Sequence, residues 1–265
     1  MSLAVVLAAV FVIAVTMTMA GRGGGNFYVL VQLLAGVSMH EAASTGQLIM
    51  CFTSLAALIV FQKHRNVSWR LALFIGATAS VAAFFGGLLA HLIEGVQLQL
   101  IFASLLVLAG LLMLYPVAER APLPAGSGSR ARGVLRFRAA GAEVRVDLRI
   151  AAPFSIAAGL FAGMVGVSGG SFLVPLMVLA CRVPIKLAVG TASAMVGATA
   201  GMGFLGHLAE GGVDWSWALP QAAVAVAGGM IGGKLALKTK PRSLKKIFAA
   251  TTLAAAVFVY LKTFA

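Results

Sequence analysis

Of the 265 residues, 61% are hydrophobic and a further 31 are glycine, while only 20 Lys/Arg and 7 Asp/Glu carry charge. Soluble domains carry charge on about a quarter of their residues, so a water-exposed globule is excluded, and so much apolar content excludes disorder. The net charge of +13 invites a nucleic-acid reading, but its distribution along the chain gives it a topological cause, and no nucleic-acid partner is expected.

The chain reads as an all-α integral membrane protein. A helix crossing about 30 Å of hydrocarbon needs about 20 apolar residues. Residues 3–20 are apolar with no basic residue before them, which predicts a first membrane helix rather than a cleaved signal. They run into Gly21-Arg22-Gly23-Gly24-Gly25 and a short apolar piece at about 27–38. Full crossings are predicted at about 43–61, 69–90 and 98–116. A polar stretch, 117–150, follows. It opens as a Pro-, Gly- and Ser-rich linker, and its Val134–Phe137 and Glu143–Val146 segments flank Ala-Ala-Gly-Ala as a small hairpin would. Residues 153–167 then lead into a second break, Gly166-Val167-Ser168-Gly169-Gly170, and an apolar piece at 171–181. At 1.5 Å per residue, about 11 residues reach only half the membrane. Both glycine breaks therefore predict broken or re-entrant helix pairs. Three more crossings are predicted at about 187–206, 215–236 and 244–262. Cys51 and Cys181 both fall in or beside apolar stretches and imply no disulfide.

An offset of 146 residues aligns ordered landmarks. Ala42–Gln47 falls on Ala188–Ser193, Val67-Ser68-Trp69 on Val213-Asp214-Trp215, Phe85-Gly86-Gly87 on Ile231-Gly232-Gly233, and Ile101-Phe102 on Ile247-Phe248. With a one-residue slip, Gly24–Phe27 matches Gly169–Phe172. Self-similarity of this kind predicts two homologous halves: a first membrane repeat at 1–116, a linker at 117–150 and a second repeat at 151–265. Loops 62–70, 117–150, 182–186 and 234–246 hold 18 of the 20 Lys/Arg, whereas 39–42, 91–97 and 207–214 hold none. By the positive-inside rule the basic loops are cytoplasmic and both termini extracytoplasmic. Each half has an odd number of full crossings, so the second repeat should be inverted. Inverted repeats with discontinuous helices are a secondary-transporter architecture, with the site at the midplane between them.

Non-helical backbone survives in hydrocarbon only where it faces protein or a wet cavity, and half-helix N-termini present free N–H groups and positive dipole ends suited to an anion. The breaks thus make Gly24, Gly25, Asn26, Ser168, Gly169, Gly170 and Ser171 candidate binding residues; close helix packing by glycine is the structural alternative. Arg22 admits two readings: a functional charge at membrane depth, or an ordinary residue of a short cytoplasmic loop. Thr45, Gln47, Thr191 and Ser193, early in the next helix of each half, carry hydroxyls and an amide that could donate to an oxyanion or simply bond within the bundle. Gly228, Gly229, Gly232 and Gly233, like Gly86 and Gly87, read as packing notches. His40-Glu41, His91-x-x-Glu94 and His207-x-x-Glu210 read as interfacial residues, with no metal and no cofactor expected. An intramembrane serine hydrolase of rhomboid type, with Ser168 as nucleophile and His207 as base, is the alternative from another class. No phosphate-binding G-x-x-x-x-G-K-[ST] loop occurs.

Gly166-Val-Ser-Gly-Gly-Ser-Phe-Leu-Val-Pro175-Leu, Ala188-Val-Gly-Thr-Ala-Ser193 and Gly212-Val-Asp-Trp215 resemble the TauE/SafE-type sulfite exporters. With its degenerate first copy the resemblance covers roughly 9–115 and 154–261. The first copy departs from the pattern: Leu30 stands where Pro is expected, Gln47 replaces Ser, and Arg22 enters the glycine run. The resemblance implies a non-enzymatic inner-membrane transporter for a small sulfur-containing or carboxylated anion, such as sulfite or an organosulfonate, driven by a proton or sodium gradient.

Overall fold

The computed structural model describes residues 1–89, 100, 103–104, 107–108, 110–111, 134–139, 142–165, 169–181, 183–208 and 213–264. Among them the protein is helical apart from one hairpin. Helix α1 spans Leu3–Met19, α2 Gly25–Leu34, α3 Met39–Lys63 and α4 Trp69–Leu88, the last with a π-helical stretch at Ala72–Gly76. Strands β1 (Val134–Ala139) and β2 (Ala142–Asp147) precede α5 (Leu148–Val165). Helix α6 begins at Gly170–Pro175 and winds on as a π-helical turn, Leu176–Ala180. Helices α7 (Ile185–Leu208), α8 (Trp215–Lys238) and α9 (Pro241–Phe264) complete the order. The crossing predicted at 98–116 lies mostly outside the described residues.

Among the described residues three helices, at Glu41–Lys63, Trp69–Leu88 and Ile185–Leu208, are long and apolar enough to cross a membrane. Large apolar side chains on their outer faces, Ile59, Leu73 and Val81 among them, are more than half exposed, as is Val257 on α9. In a bilayer these face lipid tails and cost nothing. The short helices fall where the glycine breaks predicted them: α2 has 10 residues, or about 15 Å of rise, half the hydrocarbon thickness.

Local signals set the helix starts. Ser38 accepts from the backbone N–H of Glu41 while its hydroxyl donates to the Glu41 carboxylate, an N-cap opening α3. Asp214 accepts from the N–H groups of Ser216 and Trp217 and from the Ser216 hydroxyl at 2.6 Å, capping α8. The Ser216 hydroxyl bond, then the Trp217 N–H, hold its carboxyl below the usual carboxylate range. That capping contribution is present at neutral pH and fades as pH falls through the depressed value.

The packing pairs elements across the chain. Helix α3 lies along both α7 and α8, α7 along α4, α1 along α8, and α5 along α4; α2 rests on α3, and α6 on α7. Glycine makes the close approaches. A Cβ at Gly159 or Gly163 of α5 would fall on the carbonyl oxygens of Ala79 or Ala83 in α4, and one at Gly86 on that of Leu160. At the other contact, Gly228 and Gly232 of α8 lie against Ala14 and the Val15 carbonyl of α1. The predicted notches are backbone-to-backbone seats of the kind small residues provide in membranes.

Strands β1 and β2 pair as a hairpin, β1 running two residues and β2 one residue further toward the turn than the segments read from sequence, closing on the Ala139–Ala142 pair with Phe137 opposite Val144. An isolated two-stranded hairpin is marginal. This one is anchored: Val146 is fully buried in the main apolar core, and Asp147 accepts from the N–H of Arg149 as α5 begins.

Candidate functional site

The two breaks meet. After α1 the backbone turns through Gly21, Gly23 and Gly24 at φ of +70°, +72° and +85°. An L side chain there costs on the order of 1 kcal/mol per position, which explains why the segment is nearly all glycine. The N–H of Arg22 reaches back to the Met17 carbonyl, and Gly24 caps α2. On the opposing side, Gly170 at the start of α6 leaves no room between the segments. A Cβ there would come within 2.6 Å of the Gly21 carbonyl oxygen and 3.1 Å of the Arg22 Cα.

Arg22 occupies this junction. It is 2% exposed, so it is enclosed by protein rather than lying open in a loop. Its Nε donates to the Ser171 hydroxyl at 3.0 Å, and its guanidinium carbon lies 5.8 Å from the centroid of the Phe248 ring on α9. Hydrogen bonding and cation–π attraction each offset part of the cost of burying the charge. The result is a fixed positive charge beside the first turns of α2 and α6.

The remaining candidates are distributed as follows. Gly24 packs against Ile13 and Met17, and Gly25 and Asn26 form the first turn of α2. Gly169 caps α6, near Thr199. Ser168 lies outside the described residues. Thr45 lines a cavity of about 260 Å³ with Ala35, Gly36, Val37, Glu41, Asp214 and Trp217, at the start of α3 and α8. Gln47, two residues on, projects roughly 200° around the same helix. It lies against Gly203 of α7, almost wholly buried, with neither carboxamide atom hydrogen bonded. Thr191 accepts from the backbone N–H of Ser68, and the Ser193 hydroxyl donates to the Val189 carbonyl. Arg22, Gly170 and Ser171 are thus brought together, whereas Thr45, Gln47 and Thr191 are held at three other places.

His207 departs from the interfacial expectation. It is 3% exposed in the last turn of α7, because Gly87 and Gly206 let α4 and α7 approach closely enough to cover it. His91, Glu94 and Glu210 lie outside the described residues, and no group of three potential metal ligands occurs among those described. A polar network absent from the sequence reading ties α2 down. The Trp217 indole donates to Gln32 Oε1, the Gln32 amide to Gln221 Oε1, and the Gln221 amide to the Trp217 carbonyl. Tyr28 bonds Thr53 at 3.1 Å. The available signal was two glutamines, Gln32 and Gln221, inside otherwise apolar helices.

The sequence profile of the sulfite exporter TauE/SafE family matches residues 6–259. The chain belongs to this family. A probable membrane transporter protein of Xylella fastidiosa (strain Temecula1) is 27% identical over 248 residues, covering 92% of this chain and 89% of that one. The probable membrane transporter protein YdhB of Bacillus subtilis is 25% identical over 234 residues, covering 86% and 88%. The probable membrane transporter protein MamO of Paramagnetospirillum magneticum is 32% identical over 135 residues, 48% of this chain but 21% of its own length. No solved structure matches. As a member of a TauE/SafE membrane-transporter family the chain has no support for the rhomboid reading.

Proposed function

We propose that this TauE/SafE family member moves a small sulfur-containing or carboxylated organic anion across the cytoplasmic membrane, binding it where the two glycine breaks meet. The carrying observation is Arg22, buried and bonded to Ser171 at the N-terminal end of α6. A guanidinium matches carboxylate and sulfonate oxygens through its planar fork. The first turns of α2 and α6 add N–H donors and dipole to the same place.

The site is read as lying at the midplane of two inverted repeats, 1–116 and 151–265, joined by 117–150. The packing supports that symmetry. Cys51 and Gly197, one repeat offset apart, touch each other, with the Cys51 thiol 3.5 Å from the Gly197 carbonyl, as residues on a two-fold axis do. The contact of Gly86 with the Leu160 carbonyl has its counterpart in Gly232 with the Val15 carbonyl. Helix pairs repeat the pattern, α1 on α8 answering α5 on α4, and α3 on α8 answering α7 on α4. With no phosphate-binding loop for ATP, a proton or sodium gradient is the fitting source of energy.

The test is a thermal-unfolding screen of the purified protein against sulfite, sulfoacetate, taurine, sulfate and small carboxylates. A ligand at a hundredfold excess over Kd stabilises by about 2.7 kcal/mol. Stabilisation by at least one sulfonate, sulfite or carboxylate supports the reading, and indifference to all of them removes it. For orientation, Ser2→Cys and Ser127→Cys are introduced with Cys51 and Cys181 replaced. An impermeant maleimide should label the first in intact cells and spare the second; the reverse pattern would turn the protein over in the membrane.

A further inference from the structure

The basic cluster where α8 meets α9 has a disposition that topology alone does not require. Fixing orientation needs cations only somewhere in a cytoplasmic loop. Here they continue the outward-facing stripes of two helices. On α8, exposed Ile231 and Leu235 share one face with exposed Lys234 and Lys238, at helical spacings of three and four. On α9 the exposed stripe runs from Arg242 and Lys246 through Ala250 and Ala254 to Val257. Each stripe is apolar along the body of its helix and turns basic within the last two turns at the same end. Lys240 stands exposed in the turn between them.

The cations are not occupied in finishing the helices. The end of α8 is capped by Lys186, whose ammonium donates to the Leu237 carbonyl at 2.7 Å, and by the Thr239 hydroxyl on the Leu235 carbonyl. Nor are they neutralised by acids along the chain, which carries no Asp or Glu after Asp214. The positive end of the α9 dipole faces the same turn and adds to the potential.

We infer that the α8–α9 turn binds the headgroup of an anionic phospholipid, its phosphate among Lys238, Lys240 and Arg242 and its acyl chains along Ile231 and Leu235. Charge complementarity selects the headgroup, and the adjoining apolar stripe selects a lipid over a free anion. The assignment is independent of which substrate the protein carries.

Purified full-length protein in neutral detergent is mixed with phosphatidylglycerol, phosphatidylcholine or inorganic phosphate. Retained lipid is read by mass spectrometry of the intact complex, and the unfolding midpoint is followed alongside. Wild type should retain phosphatidylglycerol in preference to phosphatidylcholine, with a raised midpoint, and inorganic phosphate should leave the midpoint unchanged. The triple variant K238Q/K240Q/R242Q should hold phosphatidylglycerol at least tenfold more weakly. The charge-keeping K238R/K240R/R242K should preserve the preference, and about 1 M salt should collapse it in wild type by shrinking the Debye length to about 3 Å. Equal retention of the two lipids by wild type, an undiminished preference in the triple glutamine variant, or equal stabilisation by free phosphate would each overturn the assignment. Should the glutamine variant misfold, the wild-type lipid comparison and the salt dependence decide it alone.

Discussion

Arg22→Ala should weaken anion binding by roughly 10- to 150-fold while leaving a monodisperse protein. A hydrogen bond to a charged group contributes about 1.5–3 kcal/mol, and that range sets the expected loss. Folding should survive because the substitution removes a buried charge together with its desolvation cost, while the Ser171 hydroxyl loses one hydrogen-bond partner. Arg22→Lys keeps the charge and gives up the planar fork, so its affinity should fall between the two. The measurement is ligand affinity of the purified variants, with size homogeneity checked in parallel. Wild-type affinity in a well-folded Arg22→Ala protein would strip Arg22 of its role and leave the second break to account for binding.

Gly170→Ala should lower the unfolding midpoint by several degrees and reduce anion binding, whereas Gly169→Ala should do neither. The added methyl at Gly170 collides with the Gly21 carbonyl oxygen at 2.6 Å and the Val196 side chain at 2.8 Å. Overpacking of this kind costs about 1–3 kcal/mol, and here the strain falls on the contact that holds Arg22 against Ser171. At Gly169 the same methyl meets, among the described residues, nothing nearer than the Leu173 side chain at 3.5 Å, an ordinary contact. Both positions are glycine in one short run, so equal behaviour of the two variants would mean that the junction yields without cost.

The helices and the glycine junction were legible because bilayer thickness and backbone sterics act locally. An apolar run of given length, or a run of glycines, carries its meaning without knowledge of distant residues. Helix α5 starts ahead of the apolar run at 153–167, because Asp147 accepts from the Arg149 N–H and Pro153 sits inside the helix. Which hydroxyls face the junction was not legible. Thr45 and Gln47 are neighbours in sequence and point to different parts of the bundle, and Thr191 is taken by the Ser68 backbone 123 residues away. Such partnerships depend on helix rotation, which hydropathy does not encode in a helix apolar on every side. The same blindness hid the Gln32–Gln221–Trp217 network and the burial of His207.

The glycine seats bear on how the molecule comes to be assembled. Helix α1 docks on α8, and α5 on α4, so each half provides the berth for the other's leading helix. During synthesis α1 enters the bilayer roughly 200 residues before its berth exists, and must wait there in a provisional arrangement, unlike a domain that folds as it emerges. A chain ending at residue 116 would keep that helix without a seat and leave Gly86 with nothing to receive. The two halves are therefore obligate co-folding partners, and a split version of the protein should regain its form only when both fragments are made in the same membrane.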